Sequence, residues 1–168
     1  WKLITISTVL VAAIAFVISF FVITPQYEST SELYVLSKST SITSLADIQM
    51  GTNLTHDFEV VVQGRPVLEQ VISNLELEET FKSLSQKVVL NNPTNSRILQ
   101  ITVTDPDPLR AKYIADEIAE VSSAFIAEKM DQDPPTIIQR GYADGQPVSP
   151  SVKKNTLIGA LIGAFIAI

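Results

Sequence analysis

Cysteine is absent from this 168-residue chain, so no disulfide staples the fold and no thiolate can hold a metal. Histidine occurs once, at His56, and tryptophan once, at Trp1. A lone imidazole is a poor start for catalysis, and one indole at the chain's edge gives no aromatic platform for sugars. No Gly-x-x-x-x-Gly-Lys-[Ser/Thr] run is present, which excludes a phosphate loop from these residues. Cations are scarce: 12 Lys and Arg stand against 18 Asp and Glu, a net charge of −6. That acidic balance argues against a nucleic-acid partner.

What the chain has in surplus is apolar residues, 46% of the total, and they are concentrated at its ends. Residues 3–23 carry no charge and no proline. As a helix this run covers about 32 Å at ~1.5 Å per residue, enough for a bilayer core of about 30 Å. A signal peptide would have a shorter apolar core and a small-residue cleavage site, whereas Thr24-Pro25-Gln26-Tyr27 is bulky. A membrane anchor is therefore expected over 1–23. A second apolar run starts at Thr156 and is still apolar at Ile168. Residues 156–168 are too few to cross alone, and the chain opens on Trp1 rather than Met, so both ends are expected to continue in a longer natural protein.

Two spans put both ends on one side of the membrane and the middle segment on the other. Every acidic residue, and every basic one except Lys2, lies between the apolar runs. Charge asymmetry does not choose the side: Lys2 flanks the first span, and Lys153 and Lys154 flank the second from the opposite side. Those two lysines suit either lipid head groups or a solvated membrane edge.

The middle segment alternates elements. Residues 27–37 read as a strand, with Leu33 and Val35 opposite Tyr34 and Leu36, and the Ser/Thr-rich residues 38–44 read as a loop. Residues 44–64 have helical spacing (Leu45, Ile48, Phe58, Val61, Val62), with a break expected at Gly51-Thr52-Asn53. Arg65-Pro66 restarts a helix with a stripe of Val67, Leu68, Val71, Ile72 and Leu75. A short helical turn over 80–86 precedes strands at 87–92 and 98–104, joined by Asn92-Pro93-Thr94-Asn95-Ser96 as a hairpin turn. In the second of these strands Leu99, Ile101 and Val103 share the buried face. Asp105 and Asp107 are expected to cap the helix that follows, with Pro108 in its first turn. The alternative for the two carboxylates is acid–base work or a cation site.

That helix runs to about Met130. Ala111, Ile114, Ile118, Val121 and Phe125 form its apolar stripe, while Asp116, Glu117, Glu120 and Glu128 are placed on the wet side. Residues 136–142 read as a last strand. The fold class is α+β, with a small mixed sheet and helices on one face, lying between two transmembrane helices. The divisions are 1–23 for the first span, 24–146 for the middle domain, 147–155 for a connector containing Pro147 and Pro150, and 156–168 for the start of the second span.

Few residues carry candidate chemistry. His56 with the adjacent Asp57 is half of a catalytic pair at most, and a surface or capping role suits it better. Asn53-Leu54-Thr55 fits a glycosylation sequon that is best read as chance. Gly159 and Gly163 form the small-xxx-small pattern that lets membrane helices approach closely, within one chain or between copies. Pro147 and Pro150 fix φ where the chain nears the membrane, either as a stiff coupling or simply as a loop. No catalytic, cofactor-binding or metal-binding residue is assigned.

Four stretches in this order resemble the Wzz-type chain-length determinants, or polysaccharide co-polymerases. They are Thr24-Pro25-Gln26-Tyr27 leading into Leu33-Tyr34-Val35; residues 65–77; Ile101-Thr102-Val103-Thr104-Asp105-Pro106-Asp107-Pro108 with Ala111 and Ile114-Ala115; and Pro147-Val148-Ser149-Pro150 before Gly159 and Gly163. The chain is most similar to the short Gram-positive branch, because it has no room for the long helical insertions of Gram-negative relatives. The resemblance implies a two-pass plasma-membrane protein with an extracytoplasmic middle domain, assembled as a ring-like homo-oligomer. It also implies association with the polysaccharide polymerase and export machinery, and activation of a cytoplasmic tyrosine autokinase, separate or fused beyond residue 168. On that reading the chain is a non-enzymatic scaffold regulating capsular or exopolysaccharide chain length and export, without cofactors. The alternative is a two-span extracytoplasmic sensor feeding a cytoplasmic kinase, which should show an outer ligand pocket.

Overall fold

The structure is a computed structural model and describes residues 2–35, 45–93, 96–130 and 133–166. It separates into two compact units, residues 1–27 with 146–168, and residues 28–145.

The first unit is a pair of apolar helices. Helix α1 (Lys2–Val17) runs into a π-helical turn, Ile18–Val22. Within them Thr5–Val22 is long and apolar enough to cross a membrane, and most of its side chains are exposed. Helix α6 (Val152–Ile166) begins four residues before the expected Thr156. The Asn155 amide donates to the Ser151 carbonyl at 2.9 Å, so the first turn forms directly after Pro150. Lys153 and Lys154 thus belong to the helix rather than to a connector over 147–155. Proline before a helix removes nothing the helix needs, because the first-turn amides have no intrahelical partner.

The second unit is α+β. Strand β1 (Tyr27–Tyr34) is followed by helices α2 (Leu45–Val62), α3 (Arg65–Asn74) and α4 (Phe81–Lys87). Strands β2 (Val88–Asn91) and β3 (Ile98–Asp105) form the expected hairpin, and α5 (Pro108–Lys129) leads to β4 (Thr136–Gln139). The sheet order is β2-β3-β1-β4.

The sheet is antiparallel, not mixed. β2 pairs antiparallel with β3, and β4 antiparallel with β1. Between β1 and β3 the partners run in opposite directions: Thr30 Oγ1 meets Thr102 Oγ1 at 2.8 Å, Gln100 Nε2 donates to Glu32 Oε1 at 2.8 Å, and the Val35 amide donates to the Arg97 carbonyl at 2.8 Å. Each helical crossover does return a strand parallel to the one before it. A strand of opposite sense fills the slot between them, however, so no parallel pair touches. This is the split βαβ, or ferredoxin-like, arrangement.

One face of the sheet is covered. Leu33 of β1 and Val35 just after it, Val88 of β2, and Leu99, Ile101 and Val103 of β3 are buried against Ile114, Ala115, Ile118, Ala119 and Ile126 of α5, Leu68 and Val71 of α3, and Phe58 and Val62 of α2. The other face is open and largely polar, and Val89 and Ile138 stand 56% and 49% exposed on its two edge strands.

Three further expectations change. Helix α2 is continuous through residues 51–53, because one glycine costs a helix only about 1 kcal/mol and Phe58 and Val62 anchor the rest in the core. Strand β4 stops at Gln139 rather than Tyr142, with a bulge in its pairing to β1 between Glu32 and Leu33. Asp116 is buried, not on a wet face. Residues 36–44, and Thr94 and Asn95 of the hairpin turn, lie outside the described residues.

Candidate functional site

The two apolar helices meet through small residues. Gly159 and Gly163 are both buried. A Cβ on Gly159 would lie 2.6 Å from Ala15 Cβ, and one on Gly163 would lie 2.8 Å from the Ser7 carbonyl oxygen and 2.9 Å from Thr8 Cα. The lack of side chains is therefore what permits this approach of α6 to α1, and the pattern is occupied within one chain. Polar groups reinforce it. Ser7 Oγ donates to the Gly163 carbonyl, and Asn155 Nδ2 donates to Ser19 Oγ at 2.8 Å. Ser19 sits in the π-helical turn and is 2% exposed. A π turn is an unusual backbone choice that recurs at functional positions.

Beyond the helices the same unit is tied by backbone. Gln26 and Ser149 form an antiparallel bridge, with the Gln26 amide donating to the Ser149 carbonyl and the Val148 amide donating to the Gln26 carbonyl, both at 2.8 Å. Pro147 and Pro150 flank these residues, and the Ser149–Pro150 peptide is cis. The segment that precedes β1 is thereby held to the segment that precedes α6.

In the α+β unit the junction between β3 and α5 gathers charge. Asp107 Oδ1 accepts from the Leu109 amide at 2.9 Å and from the Arg110 amide at 3.4 Å, which makes it the N-cap, with Pro108 in the first turn. Asp105 has a different task. Its Oδ1 accepts the Asp107 amide at 3.0 Å and its Oδ2 accepts Lys87 Nζ at 2.9 Å. Lys87 also reaches Glu79 at 2.7 Å, and Arg110 donates to the same Glu79 oxygen. Burial opposes the charge on Lys87, but the carboxylates of Glu79 and Asp105 outweigh it and hold the ammonium above its usual value. All four charges are matched, so these acids are committed to structure rather than to a cation or to proton transfer.

A second polar node gathers around Asp116, a residue the helical pattern places on the wet side. Asp116, on α5, accepts from Ser31 Oγ of β1 at 2.6 Å, from the Gly141 amide at 2.7 Å and from Lys112 Nζ at 2.7 Å. Burial alone would raise its pKa, yet these three donors hold the carboxylate below the ordinary range. Gly141 fits because it has no Cβ: one would lie 2.5 Å from Ser29 Oγ. The signals available in the sequence are an acid flanked by Ala115 and Ala119 within the buried stripe, and a glycine just after the last strand.

The remaining candidates stay apart. His56 is exposed and pairs with Glu59 at 2.8 Å, one helical turn away. Lys153 and Lys154 are exposed. Two shallow clefts mark the α+β surface. One, of about 430 Å³, is walled by Leu75, Leu77, Leu109 and Tyr113; the other, of about 380 Å³, lies beside Arg65, which stacks over Phe81 at 5.8 Å. Among the described residues no group of three or more His, Cys, Asp or Glu could hold a metal.

Comparison with known proteins gives a consistent result. Residues 1–75 match the family model for Wzz, chain length determinant protein. The capsular polysaccharide biosynthesis protein CpsC of Streptococcus agalactiae is 31% identical over 98% of this chain and 74% of its own length. CpsC of Streptococcus pneumoniae is also 31% identical, over 97% of this chain and 74% of its length. The capsular polysaccharide biosynthesis protein CapA of Staphylococcus aureus (strain COL) is 23% identical over 99% of this chain and 76% of its length.

Proposed function

Because the chain belongs to the Wzz chain length determinant family, we propose that it is a membrane co-polymerase scaffold that regulates the length and export of a capsular or secreted polysaccharide. Members of this family are membrane-associated, and they are scaffolds and regulators rather than enzymes. The observation that carries the reading is near-complete alignment to proteins named for capsular polysaccharide biosynthesis. The α1–α6 pair supports it, since two apolar helices sealed by glycine suit a two-pass protein, and the family resemblance implies that residues 28–145 lie on the extracytoplasmic side.

On this reading the working parts are contacts. Copies assemble into a ring-like homo-oligomer, the polymerase and export machinery dock to it, and the state of the ring passes through the connector at Pro147 and Pro150 to α6. A cytoplasmic tyrosine autokinase, separate or fused, receives that state. The bridge between Gln26 and Val148–Ser149 supports such transmission, because it makes the chain segments leading into and out of the α+β unit move together.

The test is deletion of the full-length gene in an encapsulated host, with polymer length read on gels and kinase phosphotyrosine read by immunoblot. Loss of a defined length distribution together with loss of phosphotyrosine is expected, both restored by the wild-type gene. Unchanged length with changed gene expression in response to an added ligand would favour the two-span sensor instead.

A further inference from the structure

The sheet of the α+β unit ends in two bare edges. β2 closes one side and β4 the other, each is four residues long, and among the described residues neither pairs with a further strand. Neither carries a charge: β2 reads Val-Val-Leu-Asn and β4 reads Thr-Ile-Ile-Gln. Proteins usually guard such edges with lysine, proline or an inward charge, because unpaired amides and carbonyls recruit another strand. Each edge also carries an exposed β-branched side chain, Val89 on β2 and Ile138 on β4.

Strand direction supplies the occupant. β1 opposes both β3 and β4, and β2 opposes β3, so β2 and β4 of one chain run in opposite directions. A second copy in the same orientation, as common insertion in one membrane requires, presents its β2 antiparallel to the first copy's β4. The alternation of the sheet then continues without inverting a molecule. We propose that β4 of one copy pairs with β2 of the next, so that one sheet runs from protomer to protomer. This rests on the scaffold reading above and names the contact by which the ring would close.

The rows of side chains on the open face continue across such a junction. Asn91 Nδ2 donates to Gln100 at 3.0 Å, Gln100 donates to Glu32, and Glu32 stands opposite Gln139 on β4. Gln139 is then placed to meet Asn91 of the next copy, an amide pair that extends the same ladder. The contact is heterologous: one edge of each copy meets a different edge of its neighbour, which produces rings when the rotation closes. The bulge in the β1–β4 pairing adds twist and bend at the joint, the curvature a closed ring needs. An edge pairing of four residues is small for an interface, and anchoring in one membrane raises the local concentration that lets it form.

Residues 1–168 hold no cysteine, and any cysteine elsewhere in the full-length chain is first replaced by serine. Full-length chains with Asn91→Cys on one tag and Gln139→Cys on another are co-expressed and treated in membranes with a short bismaleimide. Within one copy the two positions lie three strand spacings apart, roughly 14 Å, so a short linker joins copies rather than edges of one chain. A band carrying both tags is expected, together with a ladder of higher multimers from the Asn91→Cys/Gln139→Cys double variant and little product from either single variant alone. Native mass spectrometry of the wild-type protein runs in parallel. An oligomer without the mixed band overturns the edge pairing and leaves the scaffold standing, whereas a monomer overturns both. Strong self-linking of Asn91→Cys alone would replace the contact with a two-fold one. Adding Thr136→Lys, at an exposed site on the same edge strand, to the Gln139→Cys chain should abolish the mixed product with Asn91→Cys. Persistence of that product would also count against the pairing.

Discussion

Replacing Asp116 tests the polar node most directly. Asp116→Ala removes the acceptor for Ser31, Gly141 and Lys112 at once. The Ser31 hydroxyl and the Gly141 amide are buried, and each donor left without a partner costs about 1–3 kcal/mol. Lys112 is partly exposed and regains water, so its ion pair adds little. The expected loss is about 3–4 kcal/mol. Asp116→Asn keeps an oxygen for Ser31 and Gly141 and forfeits only the charge, so its loss should be about 1–2 kcal/mol. Both are read by urea unfolding of the full chain in detergent, and hydrogen exchange at Gly141 reports the node itself. The pH dependence has a defined sign. The folded pKa of Asp116 lies below the ordinary 3.8, so its stabilisation is complete above that value and is lost as pH falls through the lowered folded value. The gap between wild type and Asp116→Asn should therefore be flat from neutral pH to about 5 and close only in strong acid. Equal losses for the Ala and Asn variants, or unchanged protection at Gly141, would refute the account of three converging donors.

Other expectations follow from the same geometry. Gly163→Leu would drive a side chain into the backbone at Ser7 and Thr8, so α1 and α6 should separate; cysteine cross-linking between the helices should fall and polymer length should lose its definition. Asp107→Ala removes the cap of α5 and should cost about 1 kcal/mol in thermal unfolding, with little effect from the same change at the exposed Asp57. Lys87→Met leaves Glu79 and Asp105 each a partner short. Because the folded pKa of Lys87 is raised above 10.5, its contribution is complete below that value and disappears as pH rises through the folded value. The variant should thus lose stability evenly between neutral pH and about 10, and a pH-dependent difference within that window would contradict the assignment.

Local signals make much of this fold legible. Alternation places Leu99, Ile101 and Val103 in the core, turn residues mark the β2–β3 hairpin, and Asp107-Pro108 marks the start of α5. Local spacing says nothing about which strand fills the gap left by a crossover, which is why a mixed sheet is the expectation from sequence and an antiparallel one the outcome. Asp116 shows the same limit. Its position on the helical wheel borders the stripe, and only the approach of β1 and the residues after β4 turns that border into interior. Gly51 misleads in the other direction, because core anchoring of α2 outweighs one weak helix former. For the paired glycines, spacing alone leaves open whether the contact lies within a chain or between copies, since both demand the same small surface.

The node at Asp116 also bears on how the α+β unit carries load. β1 and β4 are adjacent and antiparallel, so the chain enters and leaves this unit side by side at one end of the sheet. Force pulling those two ends apart peels the pair from its open end, breaking bonds in succession, the mode in which a sheet resists least. Asp116 sits across that seam, holding Ser31 on the entering strand and Gly141 on the departing segment to one helix. It acts as a rivet at the mouth of a zipper. Displacement at the two chain ends is then delivered to α5 as a whole rather than spent in separating two strands.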